Sequence, residues 1–213
     1  MFNFSSKTYV NKEYKLSDFL KQIKAKKEVK EDAKKIDKII FENVISANSM
    51  NVEEEQEYKN IYVIRIKLKT NIIPRLFIEE LDKNIKFHTY FICEFNNEVC
   101  TLIAYKSIST KVKIDSKYYG HGFRKEEMIN LPTTSKVSDV YRMMLEYEIG
   151  IKSKNYESPS EYIARIKLIN RLEFQISKTT KAIEYETQPK KKFEYNERLR
   201  KYKKDLDELK GEK

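Results

Sequence analysis

The sequence is poor in the residues that punctuate a chain. Its 213 residues include four glycines, four prolines, two cysteines, two histidines and no tryptophan. So few glycines and prolines leave little material for turn-rich architectures and point to a helix-rich, loop-poor protein. Two cysteines are too few for the disulfide scaffold of a small secreted domain. There is no CxxC pair, and His88 and His121 stand alone, which excludes a zinc site of usual ligand spacing. No apolar run approaches the roughly 20 residues of a membrane span, and Met1–Lys7 lacks the apolar core of a signal peptide. The expectation is a cytoplasmic protein with no membrane span, metal or cofactor.

Charge is abundant. Lysine and arginine number 43 against 33 acids, a formal net charge of +10. A cationic surface attracts nucleic acid, anionic lipid or acidic proteins. Only eight of the 43 are arginine, the side chain best shaped to clamp phosphate. Charge alone therefore divides evenly between nucleic-acid contact and a merely lysine-rich composition.

Periodicity predicts the elements. Residues 1–14 read as irregular, and Ser17 as the cap of a short helix from Asp18. Val29, Ala33, Ile36 and Ile40 recur at four-three-four spacing, which predicts one helix over 29–44. The acidic run Glu53–Glu57 reads as a solvated loop. Tyr62, Ile64, Ile66 and Leu68 alternate with Val63, Arg65, Lys67 and Lys69, a strand whose second face becomes basic. Pro74 opens a helix that buries Phe77, Ile78 and Leu81. Phe87–Phe95 and Glu98–Lys106 form a hairpin turning at Asn96-Asn97, which sets Cys93 opposite Cys100 as reduced thiols. A further strand covers 111–118. Ser135 caps a helix over 136–149 that Gly150 stops. The predicted fold is α+β: a small mixed sheet of three to four strands packed with helices over residues 1–150, then a C-terminal helical arm or helical hairpin over 151–213.

The arm has strong local signals. Ser158 is an N-cap, Pro159 takes the first helical position and Glu161 completes a capping box. Thr187-Gln188-Pro189 interrupts the helix. Beyond it, Tyr195, Leu199, Tyr202, Leu206 and Leu209 repeat at four-three-four-three spacing and form an apolar seam for a partner. That is only about two heptads. The seam has three destinations: folding back as a hairpin, packing on the core, or pairing with a second copy.

No catalytic signature is present: there is no GxxxxGK[ST], GxGxxG or GxSxG. A metal-dependent nuclease needs converging carboxylates, and the acid-x-Lys pattern fails because Ala104 stands two residues before Lys106. No catalytic residue is assigned, and the chain reads as more a binding protein than an enzyme. The basic candidates are Arg65, Lys67 and Lys69 on one strand face, with Lys106, Lys111 and Lys113 joining across a sheet to track phosphates. A second cluster lies on the arm at Lys190, Lys191, Lys192, Arg198 and Arg200, where Tyr185, Phe193 and Tyr195 interleave and can stack on bases. The loop Tyr118–Arg124, with Gly120, His121 and Gly122, reads as a turn carrying a surface imidazole.

Several strings then fall into one order: Val10-Asn11-Lys12 with Lys15, Tyr62–Lys69, Leu81–Ile85, Tyr90-Phe91-Ile92, Lys106, Val137–Tyr141, Glu186-Thr187-Gln188, Lys192-Phe193-Glu194 and Asn196-Glu197. Together they resemble the domain of unknown function 4391 family of bacteria and archaea, over nearly the whole chain. One departure is Gly120-His121-Gly122-Phe123, where the family usually carries a Thr-x-Trp-like segment. The family has no established activity, but its members often stand beside helicases and DNA methyltransferases in restriction-like or antiviral neighbourhoods. The resemblance thus implies a non-catalytic accessory subunit that binds a helicase-like or methyltransferase-like partner, with DNA backbone as a further contact. A degenerate metal-dependent nuclease and a structural assembly factor that oligomerises through the arm are the alternatives.

Overall fold

The alternating strand around Ile64 lies at the middle of a six-stranded sheet. The computed structural model describes residues 2–53, 55–130, 134 and 136–211. In chain order the strands are β1 (Phe2–Asn3), β2 (Tyr9–Tyr14), β3 (Ile36–Ser46), β4 (Asn60–Leu68), β5 (His88–Phe95), β6 (Glu98–Ile103), β7 (Lys106–Ile108), β8 (Val112–Ile114), β9 (Arg124–Lys125) and β10 (Ile129–Asn130). The α-helices are α1 (Leu16–Gln22), α2 (Lys27–Ala33), α3 (Ala47–Met50), α4 (Arg75–Asn84), α5 (Val137–Ile149), α6 (Pro159–Tyr185) and α7 (Pro189–Lys210). The chain divides into two compact units, Met1–Ser153 and Lys154–Lys213.

The α+β class holds, but the main sheet has six strands rather than three or four, in the order β2-β3-β4-β5-β6-β9. All neighbours are antiparallel except β4 and β5, which the α4 crossover makes parallel. Two smaller sheets pair β1 with β10 and β7 with β8. Three strands of this sheet were not expected: the two-residue β9, and the longer β2 and β3. The helix expected over 29–44 stops at Ala33, and Ile36–Ser46 is the eleven-residue strand β3. Register shifts between Ile36 and Lys38 and between Phe41 and Asn43 break the strict alternation of β3 and leave apolar spacings that mimic a helix. Residues 9–14, expected to be irregular, form the exposed edge strand β2, which has no buried face to pattern its sequence.

Other boundaries shift by up to four residues. Helix α1 begins at Leu16, and Ser17 bonds Asp18 instead of capping. Pro74 is the residue before α4. Strand β6 ends at Ile103, so Lys106 opens β7, and the strand expected over 111–118 shrinks to β8. Asn96 and Asn97 both adopt positive φ, 48° and 64°, as a two-residue hairpin turn requires. Cys93 faces Cys100, and both thiols are free and buried. The expected cap Ser135 lies outside the described residues. At the start of α5, Glu55 from the acidic run accepts hydrogen bonds from the Ser138 backbone N–H and hydroxyl, both at 2.9 Å. That carboxylate therefore caps a helix rather than sitting in a purely solvated loop.

The sheet is buried on both faces. Ile64, Ile66, Phe91 and Leu102 pack with Ala33 of α2 and Phe77 and Ile78 of α4. On the other face Tyr141 of α5 donates to the Ala104 carbonyl at 2.7 Å, and Val140, Met144 and Leu145 are buried along the same helix.

In the second unit α6 and α7 form a helical hairpin. The Ser158–Glu161 capping box forms reciprocally, with Pro159 inside it. Arg165 donates to the Leu209 carbonyl at 3.1 Å, and Lys210 pairs with Glu173 at 2.9 Å. Tyr195, Leu199, Tyr202, Leu206 and Leu209 are half-buried. Of the three destinations the sequence left open, the arm takes the fold-back.

Candidate functional site

Arg65 is not a surface cation. Its Nε reaches both Glu42 oxygens at 3.1 and 3.0 Å, Nη1 meets Glu94 at 3.0 Å and Nη2 meets Glu126 at 2.9 Å. Burial alone lowers its pKa, but the bonds and charges of Glu126 and Glu42 outweigh that and raise it above the usual arginine range. Three carboxylates converge here on one guanidinium. Lys67 is half-exposed and pairs with Glu94 at 3.6 Å, while Lys69 is exposed. The expected phosphate-tracking face is thus corrected at its first residue.

Lys106 is corrected too, since its side chain is fully buried. Its ammonium donates to the Asp82 carboxylate at 2.6 Å and to the Asp82 and Ile85 carbonyls, both at 3.1 Å. Asp82 also accepts from Tyr118 at 2.8 Å and from the Thr89 hydroxyl. Desolvation lowers the Lys106 pKa and Asp82 opposes the shift. Beside it, His88 stacks on Tyr58 with ring centroids 4.8 Å apart. Burial, helped by the Lys106 charge, pushes His88 down to about 3. This is a structural network inside the protein. Lys111 and Lys113 lie on the separate β7–β8 ribbon, not across the sheet from Arg65, and Lys113 pairs with Asp115 at 2.7 Å.

The glycine–histidine loop is more ordered than a surface turn. Tyr119 exchanges backbone hydrogen bonds with Ile103 at 2.9 and 2.8 Å. A Cβ on Gly120 would lie 1.7 Å from the Thr101 carbonyl oxygen, so only glycine fits there. Gly120→Ala is expected to lower stability by about 1–3 kcal/mol, read by urea unfolding. Full stability in that variant would refute the close approach. His121 Nδ1 lies 2.7 Å from Glu148, and the buried Glu148 also accepts from Tyr90 at 2.5 Å. Arg124 donates to the Tyr147 hydroxyl. The sequence flagged His121 by its glycine neighbours, but nothing in the spacing marked Glu148 or Tyr90 as its partners.

The hairpin tip is the other exposed feature. Tyr185 and Phe193 are 84% and 66% exposed. Lys190, Lys191 and Lys192 between them are exposed, and no carboxylate among the described residues pairs with them. Arg198 lies over the Tyr195 ring at 6.0 Å, and Arg200 pairs with Glu197 at 3.0 Å. The seam residues Tyr195, Leu199, Tyr202, Leu206 and Leu209 stay half-buried in the hairpin, and no residue of α7 is fully buried.

Among the described residues, no group of three His, Cys, Asp or Glu side chains is arranged to hold a metal ion, and no helix is long and apolar enough to cross a membrane. The arrangement defines an α+β protein that pairs a two-face-buried mixed sheet with a helical hairpin. Residues 2–206 match the family described as Domain of unknown function (DUF4391), and the chain belongs to that family. No curated protein and no solved structure shows significant similarity to it.

Proposed function

We propose that the chain is a non-catalytic accessory subunit of a prokaryotic restriction-like or antiviral defence system, and that the tip of its hairpin attaches it to a helicase-like or methyltransferase-like partner. The observation that carries this reading is the tip. Two large aromatic rings stand in solvent around three exposed lysines, the composition of a protein or nucleic-acid contact. The seam is half-buried within the hairpin, whereas the tip aromatics are the more exposed, so attachment is assigned to the tip. Family membership adds its support. DNA backbone is the further contact of the same lysines.

Co-expression with the products of neighbouring genes tests the proposal. Tyr185→Ala with Phe193→Ala is expected to weaken the recovered complex at least about thirtyfold, the loss typical of aromatic anchors. Changing Lys190, Lys191 and Lys192 to Glu is expected to reduce the salt dependence of duplex binding by a slope of about 3. A complex indifferent to both sets of changes would sink the assignment of the tip.

A further inference from the structure

Helix α7 runs for 22 residues and buries none of them fully. Two helices share a single interface, and helical proteins usually complete such a pair with a further layer. The hairpin leaves room for one. An open groove of about 690 Å³ runs between α6 and α7. Its floor is apolar, with Leu168 and Leu172 from α6 and Tyr202 and Leu209 from α7. Leu168 is 49% exposed, and the other three are half-buried. The groove lies further along both helices than the tip, so attachment through the tip leaves it unused.

The charges around the groove balance. Lys154 and Arg171 supply two cations, and Asp205 and Glu208 supply two carboxylates. The chain as a whole carries +10, so copies repel one another over most of their surface. The groove is a neutral exception. Arg171 and Asp205 line it together, yet neither has an ion-pair partner among the described residues. Lys154 donates to the Glu208 backbone carbonyl at 3.3 Å, and the Glu208 carboxylate lies 3.9 Å from Lys204. Two carboxylates at the rim disfavour a nucleic acid. An apolar floor with one unpaired charge of each sign suits an occupant that offers the same three features.

We infer that the groove is an interface between two copies of this chain, whose hairpins close face to face as a four-helix bundle. A two-fold axis along the hairpin sets α6 of each copy against α7 of the other, antiparallel throughout. Arg171 and Asp205 stand equally far from Gln188 along the chain, so they are level in the hairpin. Each Arg171 then faces Asp205 of the second copy, and symmetry makes the pair twice. Leu168, Leu172, Tyr202 and Leu209 of both copies become the bundle's core.

Sedimentation equilibrium of the full chain tests the interface. Wild type is expected to dimerise reversibly, and Leu168→Glu to raise the dissociation constant at least roughly tenfold. Charge reversal is more specific. Arg171→Glu sets carboxylates against each other across the axis, and Asp205→Arg sets guanidinium groups against each other. Each is expected to weaken the dimer at least about tenfold. An equimolar mixture of the two variants restores an opposite pair at both positions, so it should associate within about threefold of wild type. Both variants should keep the wild-type helical circular dichroism, because neither residue is paired within the chain. Tyr185→Ala with Phe193→Ala should leave the dimer intact, which separates this interface from the tip. A wild-type chain still monomeric at about 100 μM, or a mixture that associates no better than its parts, overturns the interface. A monomeric chain whose complex with a neighbouring gene's product is lost on Leu168→Glu overturns it as well and gives the groove to that protein.

Discussion

Lys106→Met is expected to lower the free energy of unfolding by about 3–5 kcal/mol, the cost of removing one partner from a buried ion pair. Three acceptors converge on the Lys106 ammonium, and both its side chain and that of Asp82 are shut off from solvent. Methionine fills the volume but leaves the Asp82 carboxylate with only Tyr118 and Thr89 as side-chain donors. Adding Asp82→Asn removes the orphaned charge and should recover a large part of the loss. Urea unfolding with an unchanged m-value reads both effects. A loss below about 1 kcal/mol, or a double variant as weak as the sum of the singles, would contradict the buried-pair account. The pH dependence has a definite sign. The folded-state pKa of Lys106 is below its unfolded value of 10.5. Between those two values the unfolded chain binds more protons, so stability rises with pH across that window. Lys106→Met should lack this rise.

Acid should expose His88. Its folded pKa is about 3 against an ordinary 6.5. As pH falls below 6.5 the unfolded chain takes up a proton that the folded ring refuses, so stability declines down to about pH 3. The full effect is on the order of 5 kcal/mol. His88→Phe preserves the stacking on Tyr58 and removes the titration. The stability difference between wild type and variant should therefore shrink with acidification, while the surface carboxylates and His121 contribute equally to both. A difference constant from pH 7 to pH 4 would show that His88 is not held neutral.

Local chemistry was legible in the sequence, and partnership was not. Asn96-Asn97 and the Ser158–Glu161 box act within a few residues, so their turn and cap could be read directly. Gly150 likewise stops α5 in the left-handed conformation, at φ 77°. Strand β3 was hidden because its bulges disturb the period on which strand recognition depends. The partners of Arg65 come from 23, 29 and 61 residues away, and Lys106 meets Asp82 across 24. A charge read along one strand looks exposed until folding brings carboxylates to it. A separation of 27 residues likewise hid Glu148 from His121, leaving only the flanking glycines as a signal.

The edge strand β2 also limits how this protein can associate. Asn11 takes a left-handed conformation at φ 47°, and the pairing with β3 slips between Tyr9 and Lys12. Regular pairing is then confined to Lys12, Glu13 and Tyr14, two of them charged. A strand from another molecule finds no long flat template there. Growth of the sheet by edge-to-edge zipping is blocked on this side, so crowded copies should meet through side chains rather than through their backbones.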